Sequence, residues 1–386
     1  MRIAVDASSL AAPDGGIGRY LGQLLDHALA LEPHEHEWLL YGRGALADRD
    51  WGCANVRVRS DHLPVHAGRI FSLASTTSWW LHRDRPDVFW GPAHRLARGI
   101  PEGTASVVTM HDMVWRRVPR TMRAITRVID SCMMPHALKR ADRIIAVSHA
   151  TREDLCAEFP DVAGKVVVIH EAATQLPPAL PLDSLHALGI RRPYRLFVGT
   201  LEPRKNLVGL LRAFGRLAAT EQPHVQFVVA GAAGWGKHAL RREVDDLALK
   251  SRVLMLGRVS DAQLSTLYEH ARCVAMPSLY EGFGLPLLEA MAHGTPVMTS
   301  NISSIPEVAA EAALMVGPRD VGAMMRALSR LFRDDQLHQR LSVAGRRRAA
   351  EFSWANAARA TLHEFDKAVR THQAGVAQQS GGAGPG

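Results

Sequence analysis

Cysteines and long apolar runs are scarce in this chain of 386 residues, and each scarcity excludes a class of protein. The four cysteines lie far apart and include no Cys-x-x-Cys pair, which argues against a zinc site or a disulfide framework and favours a reducing compartment. No uncharged apolar stretch approaches the roughly 18 residues that a membrane-spanning helix needs. The apolar run at Met1–Asp6 is too brief for a signal peptide and predicts a first strand. We therefore expect a cytoplasmic protein that meets a membrane, if at all, only at its surface.

Basic residues outnumber acidic ones, 46 against 38, which gives a net charge of +8. Such a charge favours anionic partners, namely nucleotides, phospholipid surfaces, lipid diphosphates or nucleic acid, and does not by itself select one of them. A nucleic-acid-binding module would cluster its cations with stacking aromatics. Here the cations are dispersed along the chain, so we expect no nucleic-acid partner.

The chain is longer than one core usually organises, and short apolar strands alternate with helix-period segments along it. That alternation is typical of α/β proteins with parallel sheets. The predicted strands are Ile3–Val5, Trp38–Tyr41, Ser106–Thr109, Arg143–Val147 and Val166–Ile169 in the first half, and Arg195–Gly199, Gln226–Ala230, Val253–Leu256, Cys273–Met276, Pro296–Thr299 and Ala313–Val316 in the second.

Both halves open as a strand, a glycine-containing turn and a helix, which predicts two Rossmann-like domains facing each other across a cleft. The prolines at 177, 178 and 181 mark the linker, so the first domain is expected over residues 1–178 and the second over residues 183–353. Residues 373–386 are rich in Gly, Gln, Ser and Ala, and we expect this tail to be disordered.

The most informative segment follows the strand Cys273–Met276, where Glu281 and Glu289 flank Gly-Phe-Gly-Leu-Pro. Glycines at 282 and 284 allow the backbone to come close to a ligand, and a proline at 286 suits the first turn of a helix. The amides and the positive end of that helix attract phosphate, while the two carboxylates can accept hydrogen bonds from hydroxyls. This combination predicts a pocket for a sugar nucleotide.

The segment resembles the Glu-x7-Glu motif of the retaining glycosyltransferases of the GT-B fold, specifically glycosyltransferase family 4. The resemblance extends over nearly the whole chain up to about His372, and it is most specific at residues 199–206, 292–297 and 303–308. It implies a C-terminal helix, at about 354–372, that crosses back to the first domain. It also implies that Glu281 contacts the donor sugar, that Glu289 holds the ribose hydroxyls, and that the sugar and diphosphate meet the backbone amides of Gly282, Phe283, Gly284 and Leu285.

Arg204 and Lys205 come just after the strand that ends at Gly199, where a departing nucleoside diphosphate would develop charge. Two cations at that place would stabilise the leaving group. A metal-dependent transferase would need an Asp-x-Asp pair at a strand end, and we find none. We therefore predict a catalytic role for Arg204 and Lys205 with no metal and no other cofactor. Glu281 would either orient the donor sugar or act as the nucleophile of a double displacement, and the sequence leaves both roles open.

Gly16 and Gly18 lie in a turn that follows the first strand and opens a helix, where backbone amides can face a diphosphate or an acceptor. Asp14, beside them, would cap that helix or bind acceptor hydroxyls. The turn superficially matches Gly-x-Gly-x-x-Gly of dinucleotide-binding proteins, but Leu21 stands where the third glycine belongs. That mismatch counts against a dehydrogenase.

His111 ends a strand of the first half, and we predict that it donates to a sugar hydroxyl or, as the weaker alternative, acts as a base. Ser148 ends the strand after it. It either faces the same cleft or caps the helix that begins near Thr151.

A basic stretch with apolar interleaving runs from Arg116 to Arg127. It suits an anionic lipid surface, because an interfacial segment carries cations beside apolar side chains. A solvated basic helix is the alternative interpretation. Lipid contact would bring the protein to a polyprenyl-diphosphate acceptor at the inner face of the cell membrane.

The expected function is transfer of a hexose from a nucleotide sugar to a glycan or lipid-linked saccharide, with retention of configuration. The resemblance looks closest to mannosyl- and rhamnosyltransferases of bacterial surface polysaccharide assembly, which implies GDP-mannose as donor. GDP-rhamnose, a UDP-sugar, or a nucleotide-sugar epimerase or hydrolase activity are the alternatives.

Overall fold

A computed structural model gives the fold and describes residues 1–11, 15–43, 46, 51–52, 54–61, 69–219 and 225–381. The contacts divide the chain into two compact units. Unit 1 comprises Met1–Met113, Val128–Glu171 and Ser353–Gly386, and unit 2 comprises Val114–Arg127 and Ala172–Phe352. Each unit contains one parallel sheet with helices, which confirms the prediction of two Rossmann-like α/β domains.

The sheet of unit 1 has seven strands within the described residues, and all of its pairings are parallel. Its spatial order is 3-2-1-4-5-6-7. The strands are β1 (Arg2–Asp6), β2 (Glu37–Arg43), β3 (Val56–Asp61), β4 (Val88–Gly91), β5 (Ala105–Met110), β6 (Arg143–Ala146) and β7 (Val166–Val168).

The sheet of unit 2 has six described strands in the order 10-9-8-11-12-13, again with parallel pairings. In both sheets the chain reverses its direction of strand addition at the centre, which is the place where open α/β sheets bind ligands. The strands are β8 (Tyr194–Val198), β9 (Gln226–Ala230), β10 (Val253–Gly257), β11 (Cys273–Met276), β12 (Val297–Ser300) and β13 (Leu314–Val316).

Helices connect the strands in both units. In chain order the described helices are α1 (Gly16–Leu31), α2 (Arg69–Asp84), α3 (Val114–Arg117), α4 (Ala124–Arg140), α5 (His149–Glu158), α6 (Asp183–Ala187), α7 (Leu207–Ala218), α8 (Lys237–Asp246), α9 (Asp261–His270), α10 (Leu285–Ala292), α11 (Ile305–Ala309), α12 (Val321–Arg333), α13 (Asp335–Ala349) and α14 (Trp354–Gly381).

The C-terminal helix α14 belongs to unit 1, as the resemblance implied. Trp354 and Phe365 are buried on its inner face, and the ring of Phe365 lies 5.5 Å from that of Trp90 at the centroids. Glu364 adds an ion pair, since its Oε2 accepts a hydrogen bond of 2.6 Å from Arg143 Nε. Apolar packing and one buried carboxylate therefore fix the helix on the first sheet.

The same helix continues to Gly381, whereas the composition predicted disorder from residue 373. For residues 373–381 that prediction is wrong. Alanine and glutamine are good helix formers, and adding residues to an existing helix requires no new nucleus. Residues 382–386 lie outside the described part of the chain.

Every predicted strand is present, and the described residues contain two further strands that the sequence argument missed. In β3 the apolar Val56 and Val58 alternate with Arg57 and Arg59. This edge strand therefore lacks the continuous apolar run by which the other strands were predicted. β4 is buried throughout but only four residues long. In sequence, so short an apolar run does not distinguish a strand from part of a buried helix.

The division between the units lies at Glu171 and Ala172, ahead of the prolines that were predicted to form the linker. Leu180 shows why, because its backbone N–H donates to Thr266 Oγ1 at 2.8 Å and so ties the proline-rich segment to unit 2. Residues 114–127 also belong to unit 2, although they fall within the predicted first domain.

None of the described helices combines the length and the apolar character needed to cross a membrane. Among the described cysteines, Cys132, Cys156 and Cys273 are free thiols.

Candidate active site

The turn that follows β8 is built by glycines in close contact. Gly199 and Gly231 both have positive φ, at +148° and +149°, in the region that side chains disfavour. A Cβ on Gly231 would lie 2.0 Å from the carbonyl oxygen of Gly199. Only glycine therefore allows the ends of β8 and β9 to approach so closely, and the chain that leaves β8 is held against its neighbour.

Arg204 and Lys205 lie in a single 3-10 turn, Pro203–Lys205, between this glycine turn and helix α7. Asn206 ends the turn in the left-handed region, at φ 55°, which asparagine tolerates better than most residues. Its Nδ2 donates to the carbonyl of Pro277 at 3.0 Å, and the N–H of Leu279 donates to the carbonyl of Arg204 at 2.8 Å. The turn after β8 and the turn after β11 are thereby joined by one backbone hydrogen bond and one from the Asn206 side chain.

Glu281 is the centre of a buried charge cluster. Lys205 Nζ lies 2.6 Å from Glu281 Oε1, and Arg204 Nη1 lies 2.7 Å from Glu281 Oε2. Ser278 Oγ donates to the same Oε1 at 2.6 Å. Arg204 Nη2 also lies 3.5 Å from Glu202 Oε2. Both oxygens of Glu281 are therefore engaged, and the two cations are held in fixed positions.

Burial would raise the pKa of Glu281, but the charges of Lys205 and Arg204 and the hydrogen bonds from Lys205 and Ser278 lower it to about 2. For Lys205, burial lowers the pKa and the charge of Glu281 opposes that shift. The carboxylate is thus ionised throughout the neutral range. It is the group that makes the burial of Lys205 and the partial burial of Arg204 tolerable.

The loop after Glu281 is fixed by two serines. Ser303 Oγ accepts from the N–H of Glu281 at 3.0 Å, and Ser304 Oγ donates to the carbonyls of Glu281 and Phe283 at 3.0 and 3.1 Å. Gly284 ends the loop at φ 108° as the N-cap of α10, where a non-glycine residue would be strained.

The side chains of this loop point into the protein. Phe283 and Leu285 are buried, and the ring of Phe283 packs against that of Phe352 at 5.7 Å. Gly282 and Gly284 have no side chain, so the backbone from 282 to 285 is the part of the loop that can serve a ligand. Its position at the start of α10 puts the positive end of a helix beside it.

Glu289 lies on α10 and is 2% exposed. Its Oε2 accepts a hydrogen bond of 2.8 Å from the hydroxyl of Tyr268 on α9, which orients the carboxylate. A carboxylate so deeply buried is not an ordinary surface residue.

The remaining predicted site residues belong to unit 1. Gly16 and Gly18 are the first and third residues of α1, Gly16 exposed and Gly18 buried, while Asp14 lies outside the described residues. His111 follows β5 and is buried, with Nδ1 3.1 Å from Glu171 Oε1 and Nε2 2.8 Å from the carbonyl oxygen of Pro92. Ser148 is the N-cap of α5, since its Oγ accepts from the N–H of Thr151 at 3.0 Å.

Unit 2 thus brings together Arg204, Lys205, Glu281 and the loop before α10. The sequence argument missed the residues that orient these groups. Ser278 and the pair Ser303–Ser304 lie inside segments that carried the resemblance, so the resemblance could have identified them. Tyr268 and Glu171 gave no local signal, because nothing in the neighbouring sequence marks a buried polar contact.

Replacing Glu281 by Gln should lower the free energy of unfolding by about 3 kcal/mol at pH 7, because the buried Lys205 and the partly buried Arg204 lose the carboxylate between them. The folded pKa of about 2 lies below the ordinary value of 4.5, so this stabilisation is present above 4.5 and is lost as the pH falls towards 2. Urea unfolding of wild type and E281Q between pH 7 and pH 3 measures the difference, which should shrink with acidification.

The matched control is E243Q, which removes the carboxylate paired with the half-exposed Arg212 and should cost about 0.5 kcal/mol or less. Equal losses in the two variants, or an E281Q deficit that does not change with pH, would contradict the prediction.

Comparison with known proteins bears on this site. Residues 14–173 match the family model described as Glycosyltransferase Family 4, and residues 187–348 match that described as Glycosyl transferases group 1. An Escherichia coli protein named O-antigen chain mannosyltransferase B is 30% identical over 390 residues, which cover 95% of this chain and 99% of the relative.

Solved structures share the fold at lower identity. The sucrose-phosphate synthase of Thermosynechococcus elongatus superposes with a TM-score of 0.75 at 20% identity, covering 95% of this chain and 98% of the other. Anabaena HepE in complex with UDP and glucose superposes at 0.72 and 19% identity, covering 95% and 99%. The near-complete match to the E. coli relative and the two family models establish that this chain belongs to glycosyltransferase family 4 and is a glycosyltransferase of the GT-B fold.

Proposed function

We propose that this glycosyltransferase moves mannose from GDP-mannose to a glycan or lipid-linked saccharide during assembly of a surface polysaccharide, with retention of anomeric configuration. The mannose assignment is supported by the name of the E. coli relative, which matches nearly end to end. The observation that carries the chemistry is the pair of cations, Arg204 and Lys205, fixed on Glu281 beside the backbone loop that opens α10.

The proposed reaction is a front-face displacement. The bond between the sugar C1 and the diphosphate oxygen breaks, and a bond from C1 to the acceptor oxygen forms on the same face. The acceptor proton passes to the departing diphosphate, which becomes the nucleoside diphosphate product. Arg204 and Lys205 neutralise the charge that develops on the leaving group, and the amides of residues 282–285 receive its oxygens.

Glu281 fits this scheme as the group that holds the two cations and contacts the sugar. A nucleophile needs an oxygen free to attack C1, whereas one oxygen of Glu281 accepts from Lys205 and Ser278 and the other from Arg204. The pairing therefore favours front-face displacement over a double displacement. Glu289, oriented by Tyr268, is the proposed partner of the ribose hydroxyls.

We further propose that the reaction needs no metal. A divalent ion would stabilise the diphosphate in a metal-dependent transferase, and here two fixed cations supply that charge. Gly16 and Gly18 at the start of α1 are proposed to meet the diphosphate or the acceptor through the amides of that helix terminus.

The segment Val114–Arg127 is proposed to contact anionic lipid. It contains five arginines and no acidic residue, and Arg116, Arg117, Arg120, Arg123 and Arg127 are all exposed. Ile125, on the same segment, is 66% exposed. Cations beside exposed apolar atoms match an anionic membrane surface, which is where a lipid-linked acceptor resides.

A UDP-sugar is the second candidate donor. One solved structure of the same fold holds UDP and glucose. The cations, the loop and Glu289 are proposed to meet the diphosphate, the sugar and the ribose, none of which distinguishes one base from the other. A donor panel separates the candidates.

GDP-mannose, GDP-rhamnose, UDP-glucose and UDP-GlcNAc should be offered with lipid-extract acceptors and scored by product mass and by thermal shift of the protein. We expect a product that gains one hexose from GDP-mannose, unchanged in rate when EDTA is present. Transfer from a UDP-sugar alone would overturn the donor assignment, and loss of activity in EDTA would overturn metal independence. Conversion of the donor to a sugar isomer without acceptor would indicate an epimerase.

R204A and K205A should each reduce kcat by about 10² to 10³, with a smaller effect on donor affinity, because their charges act mainly on the developing leaving group. Steady-state kinetics and donor titration measure the two effects. The control is K250A, which removes an exposed lysine of the same unit and should match wild type. Wild-type turnover in folded R204A or K205A would refute the assigned role.

Replacing Arg116, Arg117 and Arg120 together by Ala should weaken co-sedimentation with phosphatidylglycerol vesicles by about tenfold or more, given about 1 kcal/mol for each arginine near an anionic surface. A matched triple variant at the exposed Arg216, Arg241 and Arg242 should bind like wild type. Equal binding by both triple variants would remove the segment from membrane contact.

A further inference from the structure

The side chain of His111 is held by both of its ring nitrogens. Nε2 lies 2.8 Å from the carbonyl oxygen of Pro92, just after β4, and Nδ1 lies 3.1 Å from Glu171 Oε1, just after β7. The residue is 9% exposed. Three strand ends of the unit 1 sheet are therefore joined through one imidazole ring.

These partners determine where the protons are. A backbone carbonyl accepts hydrogen bonds and cannot donate, so Nε2 must carry a hydrogen. A carboxylate accepts as well, so Nδ1 must also carry one. A ring with hydrogens on both nitrogens is an imidazolium cation, and its pairing with Glu171 is an ion pair.

The neighbouring His94 is in the opposite state. Its Nε2 accepts a hydrogen bond of 2.8 Å from the backbone N–H of His111, which requires a lone pair on that nitrogen. Burial lowers the pKa of His94 to about 4, in keeping with a neutral ring. Two histidines whose ring centroids are 5.3 Å apart thus differ in charge because their hydrogen-bond partners differ.

Apart from burial, the groups that act on the pKa of His111 favour its protonated form. The other neighbouring groups are either neutral or act on His94. Burial lowers the pKa of His111, but Glu171, the carbonyl of Pro92 and the charge of Asp112 outweigh it and raise the pKa overall. Tyr20 packs edge-on at 4.6 Å, and burial raises the pKa of its phenol, which stays neutral. Arg95 acts on His94, where its charge disfavours a second cation.

We propose that Glu171 is a positioning residue that keeps His111 as a fixed imidazolium at the carboxyl edge of the unit 1 sheet, where the cation attracts a phosphate of the donor or of a lipid-diphosphate acceptor. Neither ring nitrogen has a lone pair to offer, so His111 works through its charge and not as a general base. Ligands of parallel sheets bind at this edge, and a charge in a buried site is weakly screened. The inference rests on the proposed glycosyl transfer and adds a residue to it.

The proton state can be read directly in the wild-type protein. With histidines labelled in ¹⁵N, both ring nitrogens of His111 should show protonated shifts at neutral pH, with the signal assigned by its loss in H111Q. A deprotonated ring nitrogen at pH 7.5 would overturn the proposal. This readout needs no substrate, so it is independent of whether mannose is the sugar transferred.

Replacing Glu171 by Gln keeps the shape of the side chain and removes its charge. The pKa of His111 then falls, so its charge is present below the new pKa and is lost as the pH rises through it. We expect E171Q to fall at least about tenfold behind wild type in sugar transfer at pH 7.5 and to recover towards wild type as the pH is lowered. E171D should restore part of the wild-type profile.

The kinetic constant that changes identifies the anion. A KM for the nucleotide sugar that rises with pH in E171Q indicates the donor diphosphate, and a rising KM for a lipid-diphosphate acceptor indicates the acceptor. The matched control is E364Q, which breaks the buried ion pair of Arg143 in the same unit, at the amino end of β6. It should lower stability with no change in the pH profile. An E171Q profile parallel to wild type, in folded protein, would contradict the proposal.

Discussion

A single carboxylate organises the buried charge cluster of unit 2. Glu281 is buried between Lys205 and Arg204, and its charge is what allows Lys205 to be buried there and holds Arg204 beside it. The turns after β8 and β11 supply these groups, and the two turns are joined by one backbone hydrogen bond and one from the Asn206 side chain. The positions of the cations are therefore set before a ligand arrives. That is the condition under which electrostatic stabilisation costs no rearrangement during the reaction.

Unit 1 repeats the same physical solution with different residues. There the buried Glu171 pairs with His111, and the neighbouring His94 stays neutral because its ring accepts a hydrogen bond from the backbone. In both units a carboxylate determines the charge of a basic group that burial alone would neutralise. Each unit then presents a fixed positive charge close to the carboxyl end of its sheet, although no sequence motif is shared between the two arrangements.

The sequence predicted what depends on local pattern. Apolar runs identified the strands of both sheets, and the Glu-x7-Glu segment identified the loop and helix around Glu281 and Glu289. Contacts between residues distant in the chain could not be predicted in this way. Glu171 comes 60 positions after His111, and Tyr268 precedes Glu289 by 21. Only the fold brings such residues together, so the sequence argument missed the residues that orient His111 and Glu289. The edge strand β3 was missed because its charged alternate residues resemble a loop.

The connectivity of the two units has a practical consequence. Residues 114–127 belong to unit 2 but interrupt unit 1, and α14 returns to unit 1 after unit 2 is complete. The chain passes from one unit to the other after residues 113, 127, 171 and 352. No cut at one position yields either half intact: a fragment ending near residue 171 would lack the helix that covers its sheet, and the complementary fragment would lack its arginine-rich segment. To produce each unit alone for binding studies, the coding sequence therefore has to be rearranged. The helix α14 would be fused to the first half, and residues 114–127 would be moved to the second.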